Sequence, residues 1–316
     1  MKAVFLDFAT VSSGDLDLTS LRRLLPELGL FDVTRAEEIA ERTRGAGIVL
    51  VNKLALDDRA MAGNPALKLI VLAATGTNNV DLEAARRLGI GVCNIRDYCT
   101  PSVVQHVFAV LLSLTHGLRE YERLARAEWA SSVQFTLLRQ PIRELNGRVL
   151  GIVGYGVLGR AVARTAAAFG MKVEIANRPG GDRQPGRLDL HDLLPRADVL
   201  SLHCPLTPAT AGLIGARELG LMKRDAVLIN TARGALVEVE ALAQALRQKR
   251  IGGAAIDVLP QEPPRDGSPL LAADIPNLIL TPHTAWAARE SRQRALDEMA
   301  ANIEDFLRGG GRGRVV

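Results

Sequence analysis

The sequence predicts an α/β protein made of two doubly wound parallel-sheet domains. The chain has 316 residues, more than the roughly 250–300 at which a single core stops growing. Short apolar runs alternate with amphipathic stretches in two separate series, which is typical of βαβ units. The composition is 47% hydrophobic and 23% charged, the balance of a globular chain. We therefore expect two compact domains, each with its own sheet.

The first series extends from the N-terminus to about Ile95. Two of its runs, IVLVN and LIVLAA, are almost entirely apolar, as expected of parallel strands covered on both faces. The amphipathic stretches between such runs predict the covering helices. In order, the segments are AVFLDF, SLRRLLPEL, EEIAERTRG, GIVLVN, LKLIVLAATG, DLEAARRLG and GVCNI.

A long helix and an irregular arm are predicted between the two series. The stretch TPSVVQHVFAVLLSLTHGLREYERLARAEW starts with a capping Thr100 and with Pro101, which suits a first helical turn. We expect one continuous helix there. The following residues lack periodicity and contain the helix-breaking Pro141. Trp129 and Phe135 would give this arm apolar surface to bury against a second subunit, so a homodimer is expected.

The second series restarts at Arg148 and ends near His283. Its segments are RVLGIVGYG, LGRAVARTAAAFG, KVEIAN, LHDLLPRA, DVLSLHCP, AVLINTARG, EALAQALRQ, GGAAIDV and LILTPH. A final amphipathic segment predicts a long helix, and the Gly-rich end GGGRGRVV predicts a loose tail.

A glycine-rich turn in the second series predicts a dinucleotide site. Gly154, Gly156 and Gly159 form a G-x-G-x-x-G pattern directly after an apolar strand and directly before an Ala-rich helix. The first glycine permits the tight turn, the second allows a pyrophosphate to approach the backbone, and the third allows close helix–strand packing. The alternative is a turn of the same shape that binds nothing.

The acid that normally follows this turn is missing. An Asp or Glu about 20 residues further on usually accepts a hydrogen bond from the adenine ribose. Here the position is Asn177, followed by Arg178. Asn does not repel a 2′-phosphate and Arg can pair with one, so NADP is favoured over NAD. The alternative is an Asn that bonds the ribose hydroxyls of NAD beside a solvated Arg.

Three polar residues follow other strands of the same series. Arg233, Glu262 and His283 lie in VLINTARGALVE, AAIDVLPQEPP and LILTPHTAW, each at or just past the end of an apolar strand. Ligands of doubly wound sheets bind at that edge. A guanidinium can hold a carboxylate, a His can deliver a proton, and a Glu beside that His would stabilise its protonated form. His203, in SLHCP, is expected to orient a loop.

Together these segments resemble the NAD(P)-dependent D-2-hydroxyacid dehydrogenase family along essentially the whole chain. The resemblance implies that Arg233 binds substrate, that Glu262 is the partner acid and that His283 is the general acid/base. It also implies that the loop VLAATGTNNVDL holds the substrate carboxylate through Thr75 and Gly76. The implied cofactor contacts are Gly154, Tyr155, Gly156, Val157, Leu158, Gly159, Asn177, Arg178, Cys204, Pro205, Thr231, Ala232, Arg233, Asp257 and His283.

The resemblance further implies how the domains divide. Residues 1–99 and 286–316 would form a discontinuous, flavodoxin-like substrate domain, and residues 100–285 a Rossmann cofactor domain across a cleft. The segments AATGTNNVDL and TPSVVQHVFA are most similar to the glycerate dehydrogenase (hydroxypyruvate reductase) branch. The implied substrate is a small 2-oxo or 2-hydroxy acid.

Other functions are also compatible with these motifs. The same frame could reduce another 2-oxo acid such as pyruvate, oxidise D-lactate, or act as a nucleotide-sensing corepressor without catalysis. The net charge of +4 comes from basic residues interleaved with acids, so no nucleic acid partner is expected. Three cysteines without CxxC spacing predict neither disulfides nor a metal site, and favour a cytoplasmic location. No membrane association is expected, because apolar runs are too short.

Overall fold

The computed structural model describes Met1–Val316 as two compact units. One unit comprises Met1–Cys99 and Trp286–Val316, and the other comprises Thr100–Ala285. Each contains one parallel sheet covered by helices, so the predicted α/β class with two parallel-sheet domains is confirmed.

Eleven strands form the two sheets. They are β1 (Ala3–Phe5), β2 (Leu28–Leu30), β3 (Ile48–Val51), β4 (Leu69–Leu72), β5 (Gly91–Cys93), β6 (Val149–Val153), β7 (Lys172–Ile175), β8 (Val199–Leu202), β9 (Val227–Asn230), β10 (Gly253–Ile256) and β11 (Leu278–Leu280).

Eleven α-helices surround the sheets. They are α1 (Thr19–Leu24), α2 (Ile39–Thr43), α3 (Asp58–Ala62), α4 (Leu82–Arg87), α5 (Thr100–His116), α6 (Leu118–Ala127), α7 (Val157–Ala168), α8 (Leu190–Leu193), α9 (Ala216–Leu221), α10 (Val239–Arg247) and α11 (Arg289–Leu307).

The sheet of the first unit has the strand order β2-β1-β3-β4-β5, the flavodoxin-like order. β3 and β4 are buried along their whole length because apolar layers cover both faces. α11 returns from the end of the chain to this unit and packs against α1. There Arg292 donates to both carboxylate oxygens of Asp15, at 2.8 and 2.7 Å. This pairing holds the pKa of Asp15 well below its usual range.

The prediction of a loose C-terminal tail is wrong. Arg314 forms an antiparallel bridge with Cys93 of β5. The Val315 N–H donates to the Val92 carbonyl at 2.8 Å, and the side chains of Val315 and Val316 pack on the apolar core of the first unit. Glycines allow the chain to turn back after α11, and the last residues then cover the edge of the sheet.

The sheet of the second unit has the strand order β11-β10-β9-β8-β6-β7, with every pair parallel. Beyond β7, Leu188 forms a one-residue parallel bridge with Ala176. Counting this bridge as a reduced third strand gives the dinucleotide-binding order 3-2-1-4-5-6, with β11 added at the far edge. The order reverses between β6 and β8, so this is the switch point where a ligand is expected.

The predicted single helix over residues 100–129 is interrupted. Gly117 has a φ of +61°, in the left-handed region, and separates α5 from α6. The two helices meet at a bend of 49°. No single helix is long and apolar enough to cross a bilayer, and α5 and α6 meet that test only when counted as a bent pair.

An irregular arm follows α6, as the sequence predicts. Val133, Phe135 and Leu138 are 102%, 90% and 79% exposed. The Trp129 indole N–H donates to the Phe135 carbonyl at 2.9 Å and holds the arm on itself. Its apolar side chains therefore pack against little within the chain.

Candidate active site

The glycine-rich turn fits a pyrophosphate. A Cβ on Gly154 would lie 2.5 Å from the Cys204 nitrogen, and one on Gly159 would lie 2.1 Å from the Gly154 oxygen. A Cβ on Gly156 would meet nothing within 4 Å. The protein's own packing thus requires the first and third glycines, whereas the second leaves open space before α7. Helix N-termini present unpaired N–H groups to anions, so this space suits a phosphate.

A row of residues follows the strand ends along the carboxyl edge of the second sheet. Leu202 of β8 pairs with Val153 of β6 and with Asn230 of β9, and the register continues to β10 and β11. The residues one position further along each strand therefore lie next to each other. They are Gly154, His203, Thr231, Asp257 and Thr281.

Two side chains of this row have unsatisfied polar atoms. His203 Nδ1 and Thr231 Oγ1 are buried and have no hydrogen-bond partner, while His203 Nε2 lies 2.9 Å from Ser201 Oγ. Burial lowers the pKa of His203 to about 4, so its imidazole is neutral near pH 7. Unpaired buried polar atoms cost free energy that a polar ligand group can recover. The sequence predicted a loop-orienting role for His203. Ser201 lies two residues earlier on the same face of the strand, and this spacing was the one sign in the sequence that His203 is buried beside a polar partner.

His283 and Glu262 form the central pair of the site. His283 Nδ1 lies 2.6 Å from Glu262 Oε2, and Glu262 Oε1 accepts from the Leu259 N–H at 2.8 Å. Both carboxylate oxygens are thus engaged, which holds the imidazole in one orientation. A carboxylate at Nδ1 favours the proton there and leaves Nε2 for chemistry.

The loop carrying His283 is held by Asp257. The Asp257 carbonyl accepts from the His283 N–H at 2.8 Å, and its carboxylate accepts from the N–H groups of Thr284 and Ala285 at 2.8 and 2.9 Å. Thr281 Oγ1 donates to the same carboxylate at 2.5 Å. The Asp257 side chain is only 1% exposed. Its direct role in the structure is to position His283, and its contact with a cofactor remains a prediction.

Arg233 lies on a loop packed against the loop of Glu262. The buried Asn230 shapes this turn by donating to the Arg233 carbonyl at 2.8 Å and accepting from the Ala232 N–H at 3.0 Å. A Cβ on Gly234 would lie 1.9 Å from the Leu259 carbonyl carbon, so only glycine permits this approach. The exposed Arg233 guanidinium bonds only the neighbouring Ala232 carbonyl, at 2.7 Å. It can therefore take an anionic partner.

The position of the missing acid is more crowded than the sequence suggests. The Asn177 amide donates to Asp189 Oδ1 at 2.9 Å and accepts from the Gln184 N–H at 3.0 Å. Arg178 is exposed, and no acceptor lies within hydrogen-bond distance of its guanidinium. Further along the edge, Cys204 is buried in the apolar core of this unit, and burial raises the pKa of its thiol. The remaining predicted cofactor contacts lie nearby: Tyr155, Pro205 and Ala232 are in the turns after β6, β8 and β9, and Val157 and Leu158 begin α7.

The predicted carboxylate loop belongs to the first unit, after β4. Asn94 Nδ2 donates to the Thr75 carbonyl at 2.7 Å and fixes the loop. The N–H groups of Thr75 and Gly76 donate to no acceptor in the chain. Successive free N–H groups of this kind can bind an anion, and their role in substrate binding stays a prediction.

Comparison with known proteins assigns the family. Residues 108–285 match the model of the D-isomer specific 2-hydroxyacid dehydrogenase NAD binding domain. The chain belongs to the D-isomer specific 2-hydroxyacid dehydrogenase family. It is therefore an oxidoreductase that acts on the CH–OH group of its donor with a nicotinamide cofactor, and a small 2-oxo or 2-hydroxy acid fits as substrate.

Individual members of the D-2-hydroxyacid dehydrogenase family match over most of the chain. Glycerate dehydrogenase of Methylorubrum extorquens is 46% identical over 86% of this chain and 86% of its own. Hydroxypyruvate reductase of Blautia hydrogenotrophica is 36% identical over 98% of both chains. A solved structure of an acyclic imino acid reductase with NADPH and D-Arg has 27% identity and a TM-score of 0.86, covering 100% of both chains.

Proposed function

We propose that this D-2-hydroxyacid dehydrogenase reduces hydroxypyruvate to D-glycerate and also accepts glyoxylate. The observation that carries the proposal is the 2.6 Å contact between His283 and Glu262 beside the loop of Arg233. This set offers one proton donor and one cation, which a 2-oxo acid requires. The glycerate dehydrogenase and hydroxypyruvate reductase relatives favour a three-carbon hydroxy-substituted substrate over pyruvate.

The residues divide the reaction between them. Arg233 binds the substrate carboxylate and polarises the C2 carbonyl, which draws electron density toward the carbonyl oxygen. His283 then gives its Nε2 proton to that oxygen, and Glu262 stabilises the imidazolium before transfer. A nicotinamide cofactor held at the Gly154–Gly159 turn would supply the hydride for C2. The Thr75–Gly76 N–H groups are part of the proposal as a carboxylate contact.

NADPH is the proposed preferred cofactor. Asn177 brings no negative charge toward a 2′-phosphate, and the exposed Arg178 offers a guanidinium to pair with one. A structurally similar protein was solved with NADPH, which supports this choice. The contacts with the glycine turn are common to both cofactors and do not discriminate between them.

We also propose a homodimer in the cytoplasm. The exposed Val133, Phe135 and Leu138 provide an apolar surface that a second copy would cover. The three cysteines are all free, as expected in a reducing compartment. Sedimentation equilibrium of the wild type and of Phe135→Glu tests the dimer, since the added charge should lower the dimer fraction.

Initial rates of NADPH and NADH oxidation at 340 nm test the activity. Hydroxypyruvate, glyoxylate, pyruvate and 2-oxoglutarate are supplied in parallel at several concentrations. We expect the highest kcat/KM with hydroxypyruvate, then glyoxylate, and D-glycerate as the product. The absence of turnover with hydroxypyruvate and glyoxylate would contradict the proposed substrates. A higher kcat/KM with pyruvate than with hydroxypyruvate would make pyruvate the substrate instead.

A further inference from the structure

A carboxylate lies where the sequence lacks one. Asn177 lies two residues past the end of β7, and its amide donates to Asp189 Oδ1 at 2.9 Å. Asp189 comes 12 residues later in the chain. The acid missing from the usual position is thus replaced by an acid one hydrogen bond away.

The backbone fixes this arrangement. The Asn177 N–H donates to the Leu188 carbonyl at 2.7 Å, so the residue before Asp189 is bound to the strand end. The Gln184 N–H donates to Asn177 Oδ1 at 3.0 Å, which assigns the amide oxygen and turns Nδ2 toward Asp189. Asp189 precedes α8, yet its side chain makes no capping hydrogen bond. Its carboxylate instead accepts the hydrogen bond from the Asn177 amide.

The charge of this carboxylate is countered by an exchangeable partner. Arg183 Nη2 bonds Asp189 Oδ2, and the two side chains are 83% and 37% exposed. Exposed ion pairs of this kind contribute little to stability, so the Arg183 guanidinium can reorient toward another anion. Two further basic residues lie near Arg183 in the sequence. Arg178 is exposed, and the Arg187 guanidinium lies over the Tyr155 ring, 5.9 Å from its centroid.

We propose that Asp189 and Arg183 are specificity-determining residues for the cofactor. Asp189 accepts the ribose 2′-hydroxyl when the dinucleotide is unphosphorylated. When the dinucleotide carries a 2′-phosphate, Arg183, held by Asp189, faces that phosphate. Its charge then cancels the Asp189 charge that would repel the phosphate. The inference rests on the proposed nucleotide site and names residues that read the 2′-position in addition to Asn177 and Arg178.

Opposite shifts in selectivity follow from this division. Removing the guanidinium in Arg183→Ala exposes the Asp189 charge, so the Kd for NADPH should rise about tenfold or more while the Kd for NADH stays within about twofold. Removing the charge in Asp189→Asn should raise the Kd for NADH about fivefold and leave NADPH binding equal or tighter. Arg183→Lys should retain most of the NADPH affinity.

Isothermal titration calorimetry of each variant with NADPH, NADH, 2′,5′-ADP and 5′-AMP measures these Kd values. The two adenosine fragments isolate the 2′-phosphate from the rest of the cofactor. Arg247→Ala and Asp274→Asn are matched controls, because Arg247 bonds Asp274 at 2.8 and 3.1 Å in another exposed ion pair of the same unit. Melting temperatures of all variants check that they fold.

The outcomes separate the two proposals. Selectivity changes in opposite directions for Arg183→Ala and Asp189→Asn, absent from the control pair, support the inference. The inference is overturned if the wild type binds both cofactors and the two variants change the Kd for NADH and for NADPH equally. It is also overturned if neither Kd changes by more than it does in the control variants. A wild type that binds neither dinucleotide contradicts the proposed nucleotide site as well as this inference.

Discussion

The two ends of the carboxyl edge of the second sheet differ in how firmly their side chains are held. At the reaction end, Glu262 and Asp257 hold His283 and its loop through bonds of 2.6–2.9 Å. At the nucleotide end, Arg178 is exposed without a partner and Arg183 makes one exposed ion pair. Proton transfer requires a fixed geometry, whereas cofactor choice requires charges that can meet a ligand.

This difference indicates that reaction class and cofactor choice can change independently. A substitution among exposed charges at the nucleotide end alters a local electrostatic balance and leaves the sheet intact. A substitution at the reaction end removes a group that several backbone bonds have placed. The predictions below test the separation, beginning at the reaction end.

Removing the proton donor should have the largest effect. In His283→Ala, kcat should fall by about 10²–10⁴, because general acid catalysis contributes that much. The Kd for cofactor should stay within about twofold, because the glycine turn is untouched. Stopped-flow rates and fluorescence titration measure the two quantities. His191→Ala is the matched control, since His191 pairs with Glu218 at 3.0 Å on the exterior; near-wild-type turnover in His283→Ala would refute the assigned role.

A pair of glycine substitutions tests the nucleotide end. Gly156→Ala should leave the melting temperature unchanged, because its Cβ meets nothing within 4 Å, but should weaken cofactor binding about tenfold by blocking close approach. Gly159→Ala should reduce the free energy of unfolding by about 1–3 kcal/mol or more, because its Cβ would overlap the Gly154 oxygen. Differential scanning calorimetry and calorimetric titration separate the effects. Unchanged cofactor affinity in Gly156→Ala would show that nothing approaches this glycine.

His203, whose neutral imidazole lies between the two ends, should have a smaller effect, which appears in the pH dependence of the free energy of unfolding. The folded pKa of His203 is about 4, below the unfolded value of 6.5, so the unfolded state binds the proton first as the pH falls. Stability should be complete above pH 6.5 and should decline toward pH 4, by at most about 3 kcal/mol from this group. Urea unfolding at several pH values measures the slope. His203→Gln, which keeps a group near Ser201, should show less of this decline; an identical slope would contradict the assignment.

Patterns of apolar residues and glycine predicted most of the fold. Runs such as IVLVN report strands buried on both faces, and the glycines of 154–159 report a local geometry that few other residues permit. The break at Gly117 and the pairing of Val315 with β5 were not predicted. A helical pattern continues across a single glycine, and a short tail carries no signal of which edge it will join.

Some residues of the candidate site could likewise be predicted from the sequence, and others could not. Arg233, Glu262 and His283 follow strand ends, and parallel strands bring their carboxyl ends to one edge, so the sequence was sufficient to group them. Asp189 was not foreseen, because its approach to Asn177 depends on the path of the intervening loop and on the single bridge at Leu188. Contacts set by loop conformation leave no periodic trace in the sequence.

The most direct test measures kcat/KM for hydroxypyruvate, glyoxylate and pyruvate with NADPH and with NADH, in the wild type and in Arg178→Ala. We expect Arg178→Ala to move the cofactor preference toward NADH about tenfold, the loss expected for one charge-assisted contact, while the order of the three acids stays the same. An altered order of acids in the variant, or a wild type that reduces neither hydroxypyruvate nor glyoxylate, would contradict the account.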